Sequence, residues 1–319
     1  MVPAFEKIMI PRIAVLVPCY NEEAAIAKVV SDFRHALPAA VIFVYDNNSK
    51  DATAARAREA GALVRREERQ GKGNVVRRMF ADVEADIYVL VDGDDTYDAE
   101  AAPRMIRQAI ESGSDLLTAR RIHTESGAYR PGHVLGNRML TGLTALLFNV
   151  RLSDMLSGYR VFSRRFVKSF PFTAEGFGIE TELTVHAVRL MMPMAEVETR
   201  YKERPVGSVA KLNTWRDGWR ILRTIVHLVR EERPLVFFSV FFILLALASL
   251  VIGTPVVTEY LKTGLVPRLP TAVLATGLML LAFLALMAGL ILDTVTRGRW
   301  EQKRMAYLSI PGPQDLTPP

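Results

Sequence analysis

Cysteine is almost missing from this chain. Cys19 is the single one in 319 residues, so no internal disulfide can form and a reducing compartment suits it. No histidine lies near Cys19 in sequence, so it reads as a small apolar core residue rather than a catalytic thiol. Met1 to Arg12 lacks the basic-then-apolar order of a secretory signal, which predicts a first domain made and kept in the cytosol. Two nucleotide signatures are also absent. Gly71-Lys72-Gly73 does not complete G-x-x-x-x-G-K-[ST], which argues against a P-loop NTPase, and no G-x-G-x-x-G follows the first apolar run, which argues against a dinucleotide enzyme.

Apolar residues are abundant, half of the chain, and unevenly spread. Leu235 to Gly253 and Leu269 to Leu292 carry no charge, and each is long enough to cross a bilayer core as a helix. Thr254 to Arg268, with Pro255, Glu259, Lys262, Pro267 and Arg268, reads as a loop between them. Arg216, Arg220, Arg223, Arg230 and Arg233 precede the first run, and Arg297, Arg299, Lys303 and Arg304 follow the second. The positive-inside rule then puts both ends in the cytoplasm and the loop outside. Trp219, Leu222, Ile225, Val226 and Val229 share one helical face, with arginines mostly elsewhere, as in a helix lying at a membrane interface, an amphipathic helix packed on the soluble domain being the alternative. The Pro-rich tail after Tyr307 reads as disordered. The net charge of +6 gathers beside these runs, so a lipid bilayer explains it and no nucleic acid is required. The expected layout is a cytoplasmic domain over 1–214, a juxtamembrane amphipathic helix over 215–233, a transmembrane hairpin over 234–293 and a cytoplasmic tail over 294–319.

The first domain alternates strand-like and helix-like segments. Ile13–Val17, Val41–Tyr45, Leu63–Val64, Ile87–Val91 and Asp115–Thr118 read as strands. Glu22–Leu37, a helix starting at Asp51 and closing at Gly61, Gly73–Val83 and Ala101–Glu111 read as helices. That alternation predicts an α/β fold with a mainly parallel sheet and helices on both faces. Three strands end in polar clusters: Pro18-Cys19-Tyr20-Asn21-Glu22, Asp46-Asn47-Asn48-Ser49-Lys50-Asp51 and Asp92-Gly93-Asp94-Asp95. In such sheets the C-terminal strand edge is where ligands bind. Clustered acids there resist desolvation unless a cation joins them, and hard oxygen donors favour Mg²⁺ or Mn²⁺ with a diphosphate. Solvated acids capping the next helix are the alternative for Asp92 to Asp95 taken alone.

These motifs, in this order, resemble family 2 glycosyltransferases: Val17-Pro18-Cys19-Tyr20-Asn21-Glu22, Tyr45-Asp46-Asn47-Asn48-Ser49-x-Asp51-x-Thr53, Gly71-Lys72-Gly73 and Asp92-x-Asp94. Ser153-Asp154-Met155-Leu156-Ser157-Gly158-Tyr159-Arg160 and Gly178-Ile179-Glu180-Thr181-Glu182-Leu183 resemble the polyprenyl-phosphate sugar synthase branch, similar to dolichol-phosphate mannose synthase. The resemblance runs from Ile13 to about Thr214. It implies a GT-A fold, with Pro18, Tyr20, Glu22, Asp46 and Lys72 around the nucleotide of a UDP- or GDP-sugar, and Asp92 and Asp94 serving its ribose and a Mg²⁺ or Mn²⁺ ion. It further implies inversion at the sugar carbon and a polyprenyl-phosphate acceptor, undecaprenyl or dolichyl, on the cytoplasmic leaflet of a bacterial inner membrane. Relatives of this architecture can form homo-oligomers. The chain departs from the pattern twice: Asn47 stands where the family often has a second Asp, and Thr96 where dolichol-type members commonly have Gln. A Q-x-x-R-W motif of processive synthases is absent from the soluble part.

For transfer to a lipid phosphate, the difficulty is the charge growing on the departing diphosphate. Asp92 and Asp94 with a divalent ion would meet it, and Arg204 and Lys211 are candidate cations to add to it. The acceptor has its second pKa at about 6, so it is largely dianionic at neutral pH and needs no strong base. It needs a cationic seat, for which Arg120, Arg121 and Arg130, in a loop from Arg120 to Gly132, are candidates. Glu180 is placed toward the site by the resemblance, and a helix N-terminal acid favoured by the dipole is its other reading. His133 and Asn137 lie one turn apart on a predicted helix, while Tyr159 and Arg160 read as anchors of a turn. A hydroxyl acceptor would instead require a base such as Glu180 or Asp154. A non-catalytic nucleotide-sugar-binding membrane protein is the third reading.

Overall fold

Val15, Leu16 and Val17 are completely buried, because β1 (Ile13–Cys19) lies inside a sheet covered on two faces. The computed structural model describes residues 11–123, 153–171, 178–202 and 229–316, with positions 142, 223, 226 and 227. Arg130, His133, Asn137, Arg204, Lys211, and Trp215 to Leu222 of the expected interfacial helix lie outside them. The remaining strands are β2 (Val41–Asp46), β3 (Leu63–Arg66), β4 (Ile87–Leu90), β5 (Leu116–His123), β6 (Arg160–Ser163) and β7 (Met194–Tyr201). Their order is β3-β2-β1-β4-β6-β5-β7; β6 runs antiparallel to both its neighbours and the other pairs are parallel.

Strand alternation assigns the helices to the two faces. Val15, Val17, Val89 and Val161 join one cluster with Ile26, Val29 and Phe33 of α1 (Ile26–Ala36) and Met105 and Ile106 of α4 (Ala102–Glu111). Ala57 of α2 (Thr53–Glu59) completes that face. Tyr88 and Phe162 turn the other way, where Phe80 of α3 (Lys72–Asp82) meets their rings at 6.2 and 5.5 Å. Phe166 of α5 (Arg164–Ser169) lies 4.7 Å from the Phe162 ring, tilted by 38°, and α6 (Ile179–Arg189) follows.

His186 of α6 sits among these rings, 5.2 Å from Phe166 and 5.1 Å from Phe170, with Nε2 3.2 Å from Ser169 Oγ. Burial, reinforced by the charge of Lys303, lowers its pKa to about 3. In an unfolded chain the value is about 6.5. The unfolded state therefore takes up a proton that the fold refuses, so this contribution is complete above about pH 6.5 and is lost as pH falls toward 3, at up to about 1.4 kcal/mol per unit. His186→Phe is expected to flatten the fall in melting temperature between about pH 7 and pH 5. An unchanged slope would contradict this account.

The chain divides into two units: Met1–Gly218 with Lys303–Pro319, and Trp219–Gln302. In the second, α7 (Pro234–Thr263) and the apolar part of α8 (Leu269–Leu308) are long and apolar enough to cross a membrane. Small residues let them approach: Ser249 Oγ donates to the carbonyl of Ala275 at 2.7 Å, and Gly289 lies against Leu235 and Phe238. The expected loop from Thr254 is corrected, since α7 continues through Pro255 to Thr263 and ends at Gly264, whose φ of +69° suits glycine. Threonine hydroxyls on either side of the proline bond backbone carbonyls, Thr254 to Leu250 at 2.6 Å and Thr258 to Pro255 at 2.9 Å.

The expected disorder after Tyr307 is corrected as far as Leu316; residues 317–319 lie outside the described residues. Tyr307 Oη donates to buried Asp115 at 2.8 Å, Arg304 donates to the carbonyl of Leu190 at 2.6 Å, and a 3-10 turn forms over Pro313–Leu316. Arg165 bonds both oxygens of Asp115 and lies 4.7 Å over the Tyr307 ring, so an aromatic and an acid far apart in sequence hold the tail in place.

Candidate active site

Parallel register brings the ends of β1 and β2 side by side, with Pro18 opposite Tyr45 and Cys19 opposite Asp46. The loops that follow are cross-linked. Asn21 N–H donates to Ser49 Oγ at 2.9 Å, Lys50 N–H to Asn21 Oδ1 at 2.8 Å, and Glu22 N–H to Thr53 Oγ1 at 2.9 Å. Asn21 takes a φ of +52°, a conformation asparagine tolerates. Pro18, Tyr20, Glu22 and Asp46 are thus held on one edge, with Asp46 receiving Ser49 N–H on both carboxylate oxygens at 3.3 Å.

Lys72 opens α3 and projects between two acids from distant segments. Its Nζ lies 2.5 Å from Asp92 Oδ1, just past β4, and 2.6 Å from Glu180 Oε1 in the first turn of α6. Burial opposes the ammonium charge, but the two carboxylates outweigh it and push the Lys72 pKa well above its ordinary value. Glu180 is therefore ion-paired, through the same ammonium that Asp92 contacts.

Asp94 is 4% exposed, and its Oδ1 accepts Thr96 Oγ1–H at 2.6 Å and Thr96 N–H at 3.3 Å. Thr96 thus orients the acid two residues before it. Asp95, in left-handed backbone at φ +57°, pairs with Lys28 of α1 at 3.0 Å. Asp92 and Asp94 offer two neighbouring carboxylates, and no group of three or more ligating side chains occurs among the described residues. Mg²⁺ is commonly held by one or two carboxylates plus substrate phosphates, so this donor set fits an ion that arrives with a diphosphate.

The segment before β6 closes over Asp92. Gly158 N–H donates to Tyr97 Oη at 2.8 Å, and a Cβ on Gly158 would overlap the Asp92 carboxylate. Arg160, fully buried, holds this segment by donating to the carbonyls of Ser157 at 2.9 Å and Met155 at 2.5 Å and to Thr184 Oγ1 at 3.0 Å. Arg160 thus anchors this turn, whereas Tyr159 contributes its ring, packed against Phe33 at 5.9 Å and Tyr97 at 5.5 Å. Asp154 makes a bidentate pair with Arg121 at 2.7 and 2.8 Å.

One placement differs from the expectation. Arg120 and Arg121 lie within β5, not in a loop after it, because cross-strand and loop acids neutralise them: Arg120 pairs with Glu198 on β7 and Arg121 with Asp154. Sequence reasoning gave no role to Asn47, Thr96 or Gly158. The two departures from the family pattern were the available signal for the first two, and Gly158 within Ser157-Gly158-Tyr159-Arg160 for the third.

Residues 14–170 match the family described as Glycosyl transferase family 2. An uncharacterised protein of Shigella flexneri is 54% identical over 155 residues, covering 49% of this chain and 95% of its own. Glycosyltransferase AglJ of Haloferax volcanii is 34% identical over 228 residues, covering 71% of this chain and 75% of its own. The dolichyl-phosphate hexose transferase of the same organism is 29% identical over 221 residues, covering 69% and 95%. Among solved structures, glucosyl-3-phosphoglycerate synthase of Mycobacterium tuberculosis, in complex with Mn²⁺, UDP-glucose and phosphoglyceric acid, superposes with a TM-score of 0.53 at 24% identity, covering 69% of this chain and 79% of its own. That likeness shows the fold, a GT-A-like sheet with helices. With its motifs assembled on one sheet edge and relatives of this identity and coverage, the chain belongs to glycosyl transferase family 2 and is a glycosyltransferase.

Proposed function

We propose that this protein transfers a sugar from a UDP- or GDP-sugar to a polyprenyl phosphate, with inversion, at the cytoplasmic face of a bacterial inner membrane. The observation that carries the choice of acceptor is that both acids named above as candidate bases are ion-paired. Glu180 is held by Lys72 at 2.6 Å and Asp154 by Arg121 at 2.7 Å. A hydroxyl acceptor needs a base to take its proton, whereas a phosphate dianion does not. The relative named dolichyl-phosphate hexose transferase and the two apolar helices support a lipid-linked acceptor.

In this reading the acceptor phosphate oxygen attacks the sugar carbon from the face opposite the nucleotide, and the bond to the diphosphate breaks. Asp92 and Asp94 would hold Mg²⁺ or Mn²⁺, which when bound offsets charge on the departing diphosphate. Lys72, charged and fixed beside Asp92, adds a cation on the same edge. Pro18, Tyr20, Glu22 and Asp46 surround the nucleotide. Arg130, Arg204 and Lys211 remain the proposed contacts to the anionic groups. Arg120 would have to leave Glu198 to join them.

Detergent-purified protein, given undecaprenyl phosphate, Mg²⁺ or Mn²⁺ and a panel of UDP- and GDP-sugars, is expected to form lipid phosphate plus one sugar by mass spectrometry, and Asp94→Ala to lose it. Glu180→Gln keeps a hydrogen bond to Lys72 and is expected to retain turnover within about tenfold of wild type, whereas loss of a general base removes about 10² to 10⁴. A nucleotide sugar that binds without any lipid product, or a dead Glu180→Gln, would overturn the phosphate-acceptor reading.

A further inference from the structure

Asn47 follows β2 and is 3% exposed, yet its side chain reaches no other side chain by hydrogen bond among the described residues. Its amide is spent on the backbone of one turn. Nδ2 donates to the carbonyl of Glu67 at 2.9 Å and to that of Arg69 at 2.8 Å, and Oδ1 accepts Gly71 N–H at 2.7 Å. Asn47 is itself pinned, since its backbone N–H donates to the carbonyl of Cys19 at the end of β1 at 2.9 Å. Asn48 adds a bond from Nδ2 to the Glu68 carbonyl at 2.7 Å. The turn ends at Gly71, whose φ of +124° is glycine territory and which caps α3. The next residue is Lys72, whose ammonium sits between Asp92 and Glu180.

We propose that Asn47 is a positioning residue for Lys72: its amide sets the 67–71 turn, and the turn sets the lysine against Asp92 and Glu180. The inference rests on the donor site described above. It follows from bonding capacity. An amide supplies the two donors and the acceptor that this turn requires. A carboxylate has no donor, and here it would be buried against two carbonyl oxygens. Because both amide hydrogens are spent on the turn and the side chain is buried, Asn47 has no donor left to offer a base. The second acid common at this place in the family would not fit this turn.

Asn47→Asp is nearly isosteric, so it tests the bonding and not the volume. The full chain in detergent is titrated calorimetrically with UDP and with GDP, each with Mn²⁺, for wild type, Asn47→Asp, Lys72→Met and the double variant. Asn47→Asp is expected to weaken nucleotide binding by about tenfold or more, and the double variant to bind no more weakly than Lys72→Met, because the two changes remove one interaction. Hydrogen exchange over residues 67–71 is expected to accelerate in Asn47→Asp and stay unchanged in Lys72→Met. Asn47→Ser, uncharged and too short to span the turn, gives the same direction if the aspartate variant does not fold. Wild-type affinity in Asn47→Asp, or losses that add in the double variant, would overturn the proposal. If neither nucleotide binds the wild type, the donor reading fails, and unchanged exchange over 67–71 in Asn47→Asp then separately overturns the role of Asn47.

Discussion

Gly158→Ala is expected to reduce kcat/KM for lipid-product formation by about 10² or more, while shifting the melting temperature little. The reason is space. A methyl on Gly158 would occupy the volume of the Asp92 carboxylate. The glycine cannot retreat easily, because its N–H is bonded to Tyr97 Oη at 2.8 Å and Tyr159, next to it, is fully buried. Asp92 is the group that yields, and with it goes the 2.5 Å contact to Lys72. The displacement falls on a pair at the proposed diphosphate position, so a shift of about 1 Å is large on the scale that catalysis tolerates. Turnover of Gly158→Ala within about threefold of wild type, at saturating Mn²⁺, would mean that the Asp92 carboxylate has room to move without consequence.

The acids of this site are legible in sequence because a strand buried on both faces ends in them. Ile87 to Val91 is an uninterrupted apolar run, and the polar residues that stop it fall at the sheet edge. The parallel order follows from the alternation of β1 to β5 with amphipathic helices. What escapes is decided by pairs distant in sequence. Two consecutive arginines read as a loop, yet Arg120 and Arg121 continue β5 because Glu198 and Asp154 meet them. The strand β6 contains a fully buried arginine, which no hydrophobic pattern announces, since its partners are carbonyls of the preceding turn. The ordered tail depends on Tyr307 finding Asp115. Asn47 and Thr96 look like lapses from the family pattern until their partners are seen, Glu67, Arg69 and Gly71 for one and Asp94 for the other.

Arg121→Met is expected to destabilise the protein by about 3 kcal/mol, a fall of roughly 5–10 °C in melting temperature. The pair with Asp154 is bidentate at 2.7 and 2.8 Å, with side-chain exposures of 21% and 8%, and the guanidinium lies 5.4 Å from the Tyr201 ring. Burial works against the Arg121 charge, but the hydrogen-bonded Asp154 more than compensates and raises its pKa. Removing the arginine strands a buried carboxylate, and that is the main cost; a partly exposed cation puts it at the low end of the range for buried pairs. Arg121→Met with Asp154→Leu removes both charges at similar volume and is expected to recover most of the stability. Asp154→Asn, which keeps Arg121, decides what Asp154 does. If Asp154 only balances Arg121, Asp154→Asn is expected to keep turnover within about tenfold of wild type. If it is the base for a hydroxyl acceptor, turnover falls by about 10² to 10⁴ even though the protein melts normally. Retained turnover would leave Glu180, already bound to Lys72, as the remaining base of those two acids, and Glu180→Gln then tests the acceptor's chemistry without interference from Asp154.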